Sequence, residues 1–152
     1  MFTKTIFATL MAVQTLFFLS LPISTFAQSQ AKSDDSASFY INRGLARYDS
    51  GKWKKAIADF DTVLIRDPHN SVIFNARGLA WLQLNEYGMA TRDFNQAIKL
   101  NQGFAKAYAH RGLAQLRQKH EAKASQDFAK CLELDGSLKS YVEELKNKGL
   151  QK

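Results

Sequence analysis

The chain has 152 residues, 45% of them hydrophobic, and carries a formal net charge of +7 with a single cysteine. That length suits about one domain, and the apolar content is enough for a packed core, which excludes a disordered polar chain. One cysteine cannot build an internal disulfide framework, so stability has to come from packing.

The first stretch is set apart from any fold. It carries one lysine, Lys4, an apolar run from about Thr5 to Leu21, then Pro22 and the small-residue ending Thr25-Phe26-Ala27. This is the layout of a secretory signal peptide, with cleavage expected after Ala27. The alternative is an uncleaved N-terminal membrane anchor, against which stand Thr9, Gln14, Thr15 and Ser20 within the run. No cysteine follows the run, so lipid attachment is not expected there. Removing residues 1–27 takes away one base and no acid, leaving +6 on a mature chain that is periplasmic or secreted. Residues 28–36, QSQAKSDDS, are polar and aperiodic and read as a flexible lead-in.

From residue 37 the pattern becomes helical. Tyr40, Leu45 and Tyr48 share a face and are followed by the stop signal Asp49-Ser50-Gly51; a second stretch runs from Trp53 to Arg66 and ends at Asp67-Pro68. The tetrapeptide Arg43-Gly44-Leu45-Ala46 recurs as Arg77-Gly78-Leu79-Ala80 and Arg111-Gly112-Leu113-Ala114, 34 residues apart each time. Ala56, Ala90 and Ala124 keep the same step, as do Asp59-Phe60, Asp93-Phe94 and Asp127-Phe128. Three helical hairpins follow, at 37–70, 71–104 and 105–138. Residues 139–152, with Tyr141, Val142 and Leu145 among charges, read as a capping helix and tail that covers the last apolar face.

A glycine inside a helix costs about 1 kcal/mol against alanine, so three of them need a packing reason. The expectation is that Gly44, Gly78 and Gly112 each oppose an alanine of the second helix, letting the axes approach closely, with Phe60, Phe94 and Phe128 beside the contact. Arg43 and Asp59, Arg77 and Asp93, and Arg111 and Asp127 are each 16 apart and stand at one height on antiparallel helices. They are expected to pair as architecture rather than as catalytic groups.

The 34-residue period, with glycine at the eighth place, alanine at the twentieth, an aromatic at the twenty-fourth and the Asp67-Pro68 ending, resembles the tetratricopeptide repeat across residues 37–138. Departures are Gln102 and Gly136 in place of proline, Asn85 and Lys119 in place of Gly51, and Arg47 and Gln115 at the eleventh place. Lys119 takes a left-handed conformation less readily than glycine or asparagine, which makes the third hairpin turn the least certain boundary. The resemblance implies an all-α, right-handed superhelical solenoid of three hairpins plus the capping helix, whose first helices line a concave groove. By position the groove takes Ile41, Leu45, Tyr48 and Asp49 from the first unit, and Val72, Asn75, Leu79, Leu82 and Gln83 from the second. The third supplies Lys106, Ala109, Leu113, Leu116 and Arg117. Leu45, Leu79 and Leu113 alternatively pack between adjacent first helices, leaving a shallower groove. Tyr48, Asn75 and Gln83 are the better candidates for specific contacts, since core packing does not demand them. Family members that hold chaperone C-terminal carboxylates use a clamp whose places here hold Ile41, Leu45, Ala76, Lys106 and His110, so only the lysine matches.

No chemistry is legible. His69, His110 and His120 fall in different units without metal-ligand spacing and read as exposed or half-buried structural residues; Cys131 occupies a small apolar slot and reads as a buried, inert thiol. No phosphate loop or nucleophile elbow occurs, so no cofactor, metal, small-molecule substrate or enzymatic role is expected. Basic residues are interspersed with acids rather than gathered in a stripe, which argues against nucleic acid and leaves weak attraction to an anionic membrane or an acidic partner surface, or solubility alone, as the use of the charge. The reading is a non-catalytic adaptor of the cell envelope that binds a peptide or helix of another envelope protein. The alternative is a self-assembling structural module of an envelope complex.

Overall fold

The computed structural model describes residues 36–150. The leader and most of the polar lead-in lie outside the described residues. Among the described residues six α-helices fall in three pairs and a seventh follows: α1 (Ala37–Asp49) with α2 (Trp53–Arg66), α3 (Ser71–Gln83) with α4 (Tyr87–Leu100), and α5 (Ala105–Arg117) with α6 (Glu121–Leu134). A 3-10 turn, Gly136–Leu138, leads into α7 (Lys139–Leu150). Helices of a pair pack antiparallel, and each second helix also bears on the first helix of the next pair, giving an all-α solenoid.

The three hairpin turns are the same turn. Gly51, Asn85 and Lys119 all lie at positive φ, 72°, 61° and 62°. Behind each, the next amide donates to a carbonyl five residues back: Lys52 to Arg47, Glu86 to Trp81, His120 to Gln115. This is the Schellman closure, which satisfies carbonyls orphaned at the helix end. The expected weak point at Lys119 is therefore a regular turn, and α6 begins at Glu121 as its counterparts begin at Trp53 and Tyr87. Closing the turn outweighs the cost of about 1–2 kcal/mol for placing a side chain there.

Between the helices of each hairpin the closest approach differs from the expected glycine–alanine contact. A Cβ on Gly44 would stand 2.6 Å from Cε1 of Phe60; on Gly78, 2.6 Å from Phe94; on Gly112, 2.9 Å from Phe128. The nearest group to each glycine is the edge of its own repeat's phenylalanine ring, because that ring points back across the hairpin. Ala56, Ala90 and Ala124 are fully buried, as are Phe60 and Phe94, with Phe128 nearly so.

Overpacking such a contact costs about 1–3 kcal/mol, which the better helix propensity of alanine offsets by about 1 kcal/mol. Gly78→Ala is therefore expected to lower the urea midpoint. Gly88→Ala, where an added Cβ meets nothing within 4 Å, is expected to leave the midpoint unchanged or raise it. Equal midpoints for the two variants would show that the ring edge yields without cost.

Candidate functional site

The recurrent arginines and aspartates meet across each hairpin. Arg43 donates from Nη2 to Asp59 at 2.6 Å; Arg77 binds Asp93 through Nε and Nη2 at 2.8 and 2.6 Å; Arg111 binds Asp127 at 2.9 and 2.6 Å. All three carboxylates are buried, at 2 to 5% exposure. Two further links were not anticipated from the sequence. Arg77 Nη1 reaches Asp61 and Arg111 Nη1 reaches Asn95, both on the second helix of the preceding repeat. Asp61 and Asn95 are themselves 34 apart, which is the signal that could have found them. Arg47 adds a second guanidinium to Asp59 at 2.7 Å, so the departure at the eleventh place has an electrostatic use. The hydrogen bond from Arg77 to Asp93 raises the guanidinium's pKa, while burial pushes the Asp93 carboxyl upward against that attraction.

His110 is the polar centre of the concave side. It is 4% exposed, which corrects its reading as an exposed or half-buried residue. Nδ1 lies 2.7 Å from Oδ1 of Asn75 on α3, and Nε2 lies 2.6 Å from the hydroxyl of Tyr141 on α7. A neutral ring that donates from Nδ1 to the Asn75 carbonyl and accepts the Tyr141 proton at Nε2 satisfies all three groups. Burial, then repulsion from Lys106, pushes the imidazole pKa down to about 4. Asn75 is thus occupied by the core, contrary to the expectation that packing makes no demand on it.

A concave cavity of about 460 Å³ opens beside this network. Of the expected groove residues, Tyr48, Leu79, Leu82, Gln83, Leu113 and Arg117 line it. Leu82 does so from the core, packed with Ala90 and Phe94. Gln83 donates to the Tyr48 hydroxyl at 3.3 Å, joining repeats 1 and 2 across the wall. Leu45 and Asp49 line a smaller apolar pocket of about 180 Å³ with Tyr48, Phe60, Ala76 and Leu79. Val72 and Lys106 are exposed and stand outside the cavity, while Ile41 packs with the first hairpin's core. Ala109 is fully buried against α7 residues Val142 and Leu145, and Leu116 meets the backbone of Gly149. The cavity's other walls come from Asn85, Tyr87, Tyr141, Leu145 and Lys148, which repeat-based reasoning missed, and from His110, which it named only as a mismatched clamp place. Position 110 corresponds to Asn42 and Ala76 in the other repeats, and Tyr87 to Trp53 and Glu121, so the periodic pattern contains no signal for them.

Among the described residues, no group of three His, Cys, Asp or Glu side chains is placed to hold a metal ion, and no helix is long and apolar enough to cross a membrane. Cys131 is fully buried, and burial raises its thiol pKa, which disfavours the nucleophilic thiolate. What the cavity offers is a surface of leucines, phenol hydroxyls, amides and two cations, with no carboxylate in its walls.

Comparison with known proteins agrees with this geometry. Two tetratricopeptide repeat family models match, one at residues 37–70 and the other at residues 105–137. Among solved structures, the first TPR of Spaghetti (RPAP3) bound to the HSP90 peptide SRMEEVD superposes with a TM-score of 0.69 at 29% identity. It covers 73% of this chain and 88% of that one. The second TPR of Spaghetti, bound to the same peptide, gives 0.64 at 30% identity over 70% and 99% of the two chains. The second TPR domain of human RPAP3, in complex with the HSP70 peptide SGPTIEEVD, gives 0.67 at 30% identity over 77% and 100%. No curated protein sequence matches the chain.

Two expectations follow. Asp93→Asn removes the charge from a buried acceptor held by a partly exposed guanidinium, a case between surface and buried ion pairs, and is expected to cost about 2–3 kcal/mol in thermal or urea melts; an unchanged midpoint would reduce the pair to a solvated contact. For His110, the folded pKa lies near 4 and the reference value is 6.5. The unfolded chain therefore binds more protons between those values, so this contribution to stability is full above about pH 6.5 and is lost as pH falls toward 4. The slope approaches 1.4 kcal/mol per pH unit. His110→Gln should show a shallower loss of stability than the native chain between pH 6.5 and 4; parallel curves would exclude His110 as the cause.

Proposed function

The chain belongs to the tetratricopeptide repeat family, and from that premise we propose that it is a non-catalytic adaptor of the cell envelope. In this reading it binds a peptide or helix of another envelope protein in the concave cavity. The observation that carries the proposal is the cavity itself, whose walls come from all three repeats and α7 and combine leucines with unlike polar groups. Surfaces of that kind bind by burying a few anchor side chains while the polar groups set register. Structural relatives hold peptides of HSP90 and HSP70, which supports a polypeptide as the ligand class. A C-terminal EEVD tail is not the ligand proposed here. The places of the carboxylate clamp hold Ile41, Leu45, Ala76, Lys106 and His110, and the last is sealed in the core.

The compartment rests on residues 1–27, whose single lysine, apolar run and Thr25-Phe26-Ala27 ending have the layout of a secretory leader. Once exported, the chain meets neither nucleic acid nor cytosolic chaperones, and its basic surface faces anionic lipid headgroups or acidic partner surfaces.

The test is affinity capture of the full chain expressed with its own leader, beside a Tyr48→Ala, Arg117→Glu variant. Neither residue is in the buried core. The expected result is a captured chain that begins at Gln28 and an envelope partner that the variant loses by about tenfold or more, equivalent to roughly 1.4 kcal/mol. A chain retaining Met1 in the cytosolic fraction would overturn the compartment, one retaining Met1 in the membrane fraction would replace cleavage by the N-terminal anchor, and a partner held equally by both chains would overturn the groove.

A further inference from the structure

In this solenoid the first helices of repeats 2 and 3 lean on the second helix of the preceding repeat, α3 on α2 and α5 on α4, and touch one another little. A fourth such helix would lie on α6. α7 does the reverse: its backbone lies along α5, a first helix, and it meets α6 through the 3-10 turn before it and through Val142 and Leu145, which share a core cluster with Ala124, Phe128 and Cys131 of α6. It is seated on the concave side and covers Ala109 while Gly149 rests on Leu113 and Leu116.

We propose that α7 is an intramolecular ligand of the concave trough, seated where a partner's amphipathic helix docks, so that partner and α7 compete for His110 and the apolar floor. The proposal rests on the reading of the concave face as the interaction site and adds the chemistry of what it takes.

The seated face defines that chemistry. Tyr141, Val142, Leu145 and Gly149 fall at i, i+1, i+4 and i+8, one stripe of a helix. Val142 and Leu145 are 0% and 5% exposed. A Cβ at position 149 would stand 2.7 Å from Cδ1 of Leu116, so the stripe needs a small residue there. The polar determinant is the Tyr141 hydroxyl on Nε2 of His110. If α7 leaves, that buried nitrogen loses its donor, and an occupant without a hydroxyl at that point leaves it unpaired. Away from that stripe, Lys146 pairs with Glu143 and Lys148 with Glu144 within α7 itself, although the Lys146 ammonium also stands 5.8 Å over the Phe128 ring of α6. Its tether is short and contains Gly136, and the cavity continues past Tyr141, Leu145 and Lys148, so the trough is only partly filled. The partner is therefore an amphipathic helix with tyrosine at i, aliphatic residues at i+1 and i+4, and a small residue at i+8.

The test uses a fluorescent peptide of residues 137–150 added to the full chain and to full-chain Tyr141→Ala, Leu145→Ala. The variant is expected to bind it about tenfold or more tightly than the native chain, and a peptide with phenylalanine for Tyr141 is expected to bind the variant about tenfold more weakly. Equal affinity for the two chains, or no binding to either, would overturn the proposal. Should the double variant lose its helical circular dichroism, hydrogen exchange of full-chain Tyr141→Phe decides: α7 amides exchanging about tenfold faster while α1–α4 are unchanged support release, whereas α7 exchanging in step with α5 and α6 overturns it. Because the probe is the chain's own sequence, the two readings fail separately: failure to capture an envelope partner removes the envelope-adaptor reading, whereas equal affinity of the two chains for the peptide removes this one.

Discussion

The edge of a phenylalanine ring lying against a glycine sets the distance between the two helices of every hairpin, and the rest of the solenoid is built on that spacing. With the axes drawn together, the buried alanines and the aspartate next to each phenylalanine are sealed between helices. A buried carboxylate then requires a partner, which the arginine one residue before the glycine supplies. In repeats 2 and 3 the same guanidinium has a further donor to offer, and it reaches back to Asp61 or Asn95. One contact inside a hairpin is thereby coupled to the stacking of hairpins, which is how a repeat that cannot fold alone acquires a defined neighbour.

Periodicity makes the scaffold, and departures from it make the site. The three first helices present similar backbones to the concave side, yet only the third carries a histidine where the others have Asn42 and Ala76. That histidine needs a donor and an acceptor once buried, and finds the acceptor in Asn75 of the neighbouring repeat and the donor in Tyr141 of α7. The concave face is consequently asymmetric: its repeat-1 end is open around Tyr48 and the small apolar pocket, while its repeat-3 end is covered. The cavity between them presents leucines, phenols and amides with Arg117 and Lys148 among them.

Much of the fold was legible from residues 37–138 because stacking repeats leave a signature that composition cannot hide: a fixed period, with glycine, alanine and phenylalanine at set places within it. The arginine–aspartate links within hairpins were readable from a 16-residue spacing that antiparallel helices convert into proximity. Less of the site was legible. Position within the repeat placed Tyr48, Leu79, Gln83, Leu113 and Arg117 toward the groove, but it also placed Asn75, Leu82 and Ala109 there as accessible surface, and all three are buried.

The sequence by itself determined the period, the hairpins, the first two of their turns and the polarity of each helix, since these follow from local spacing and from contacts a constant number of residues apart. Only the tertiary structure decided that the glycines face rings rather than alanines, that Lys119 adopts the left-handed turn, and that α7 lies along α5 instead of continuing the stack. Those outcomes depend on the direction of a side chain and on the competition among surfaces for one apolar stripe. The ring direction is the same in all three hairpins but no spacing encodes it, and the competition for the stripe arises once, at the end of the stack, so a periodic reading contains no term for either.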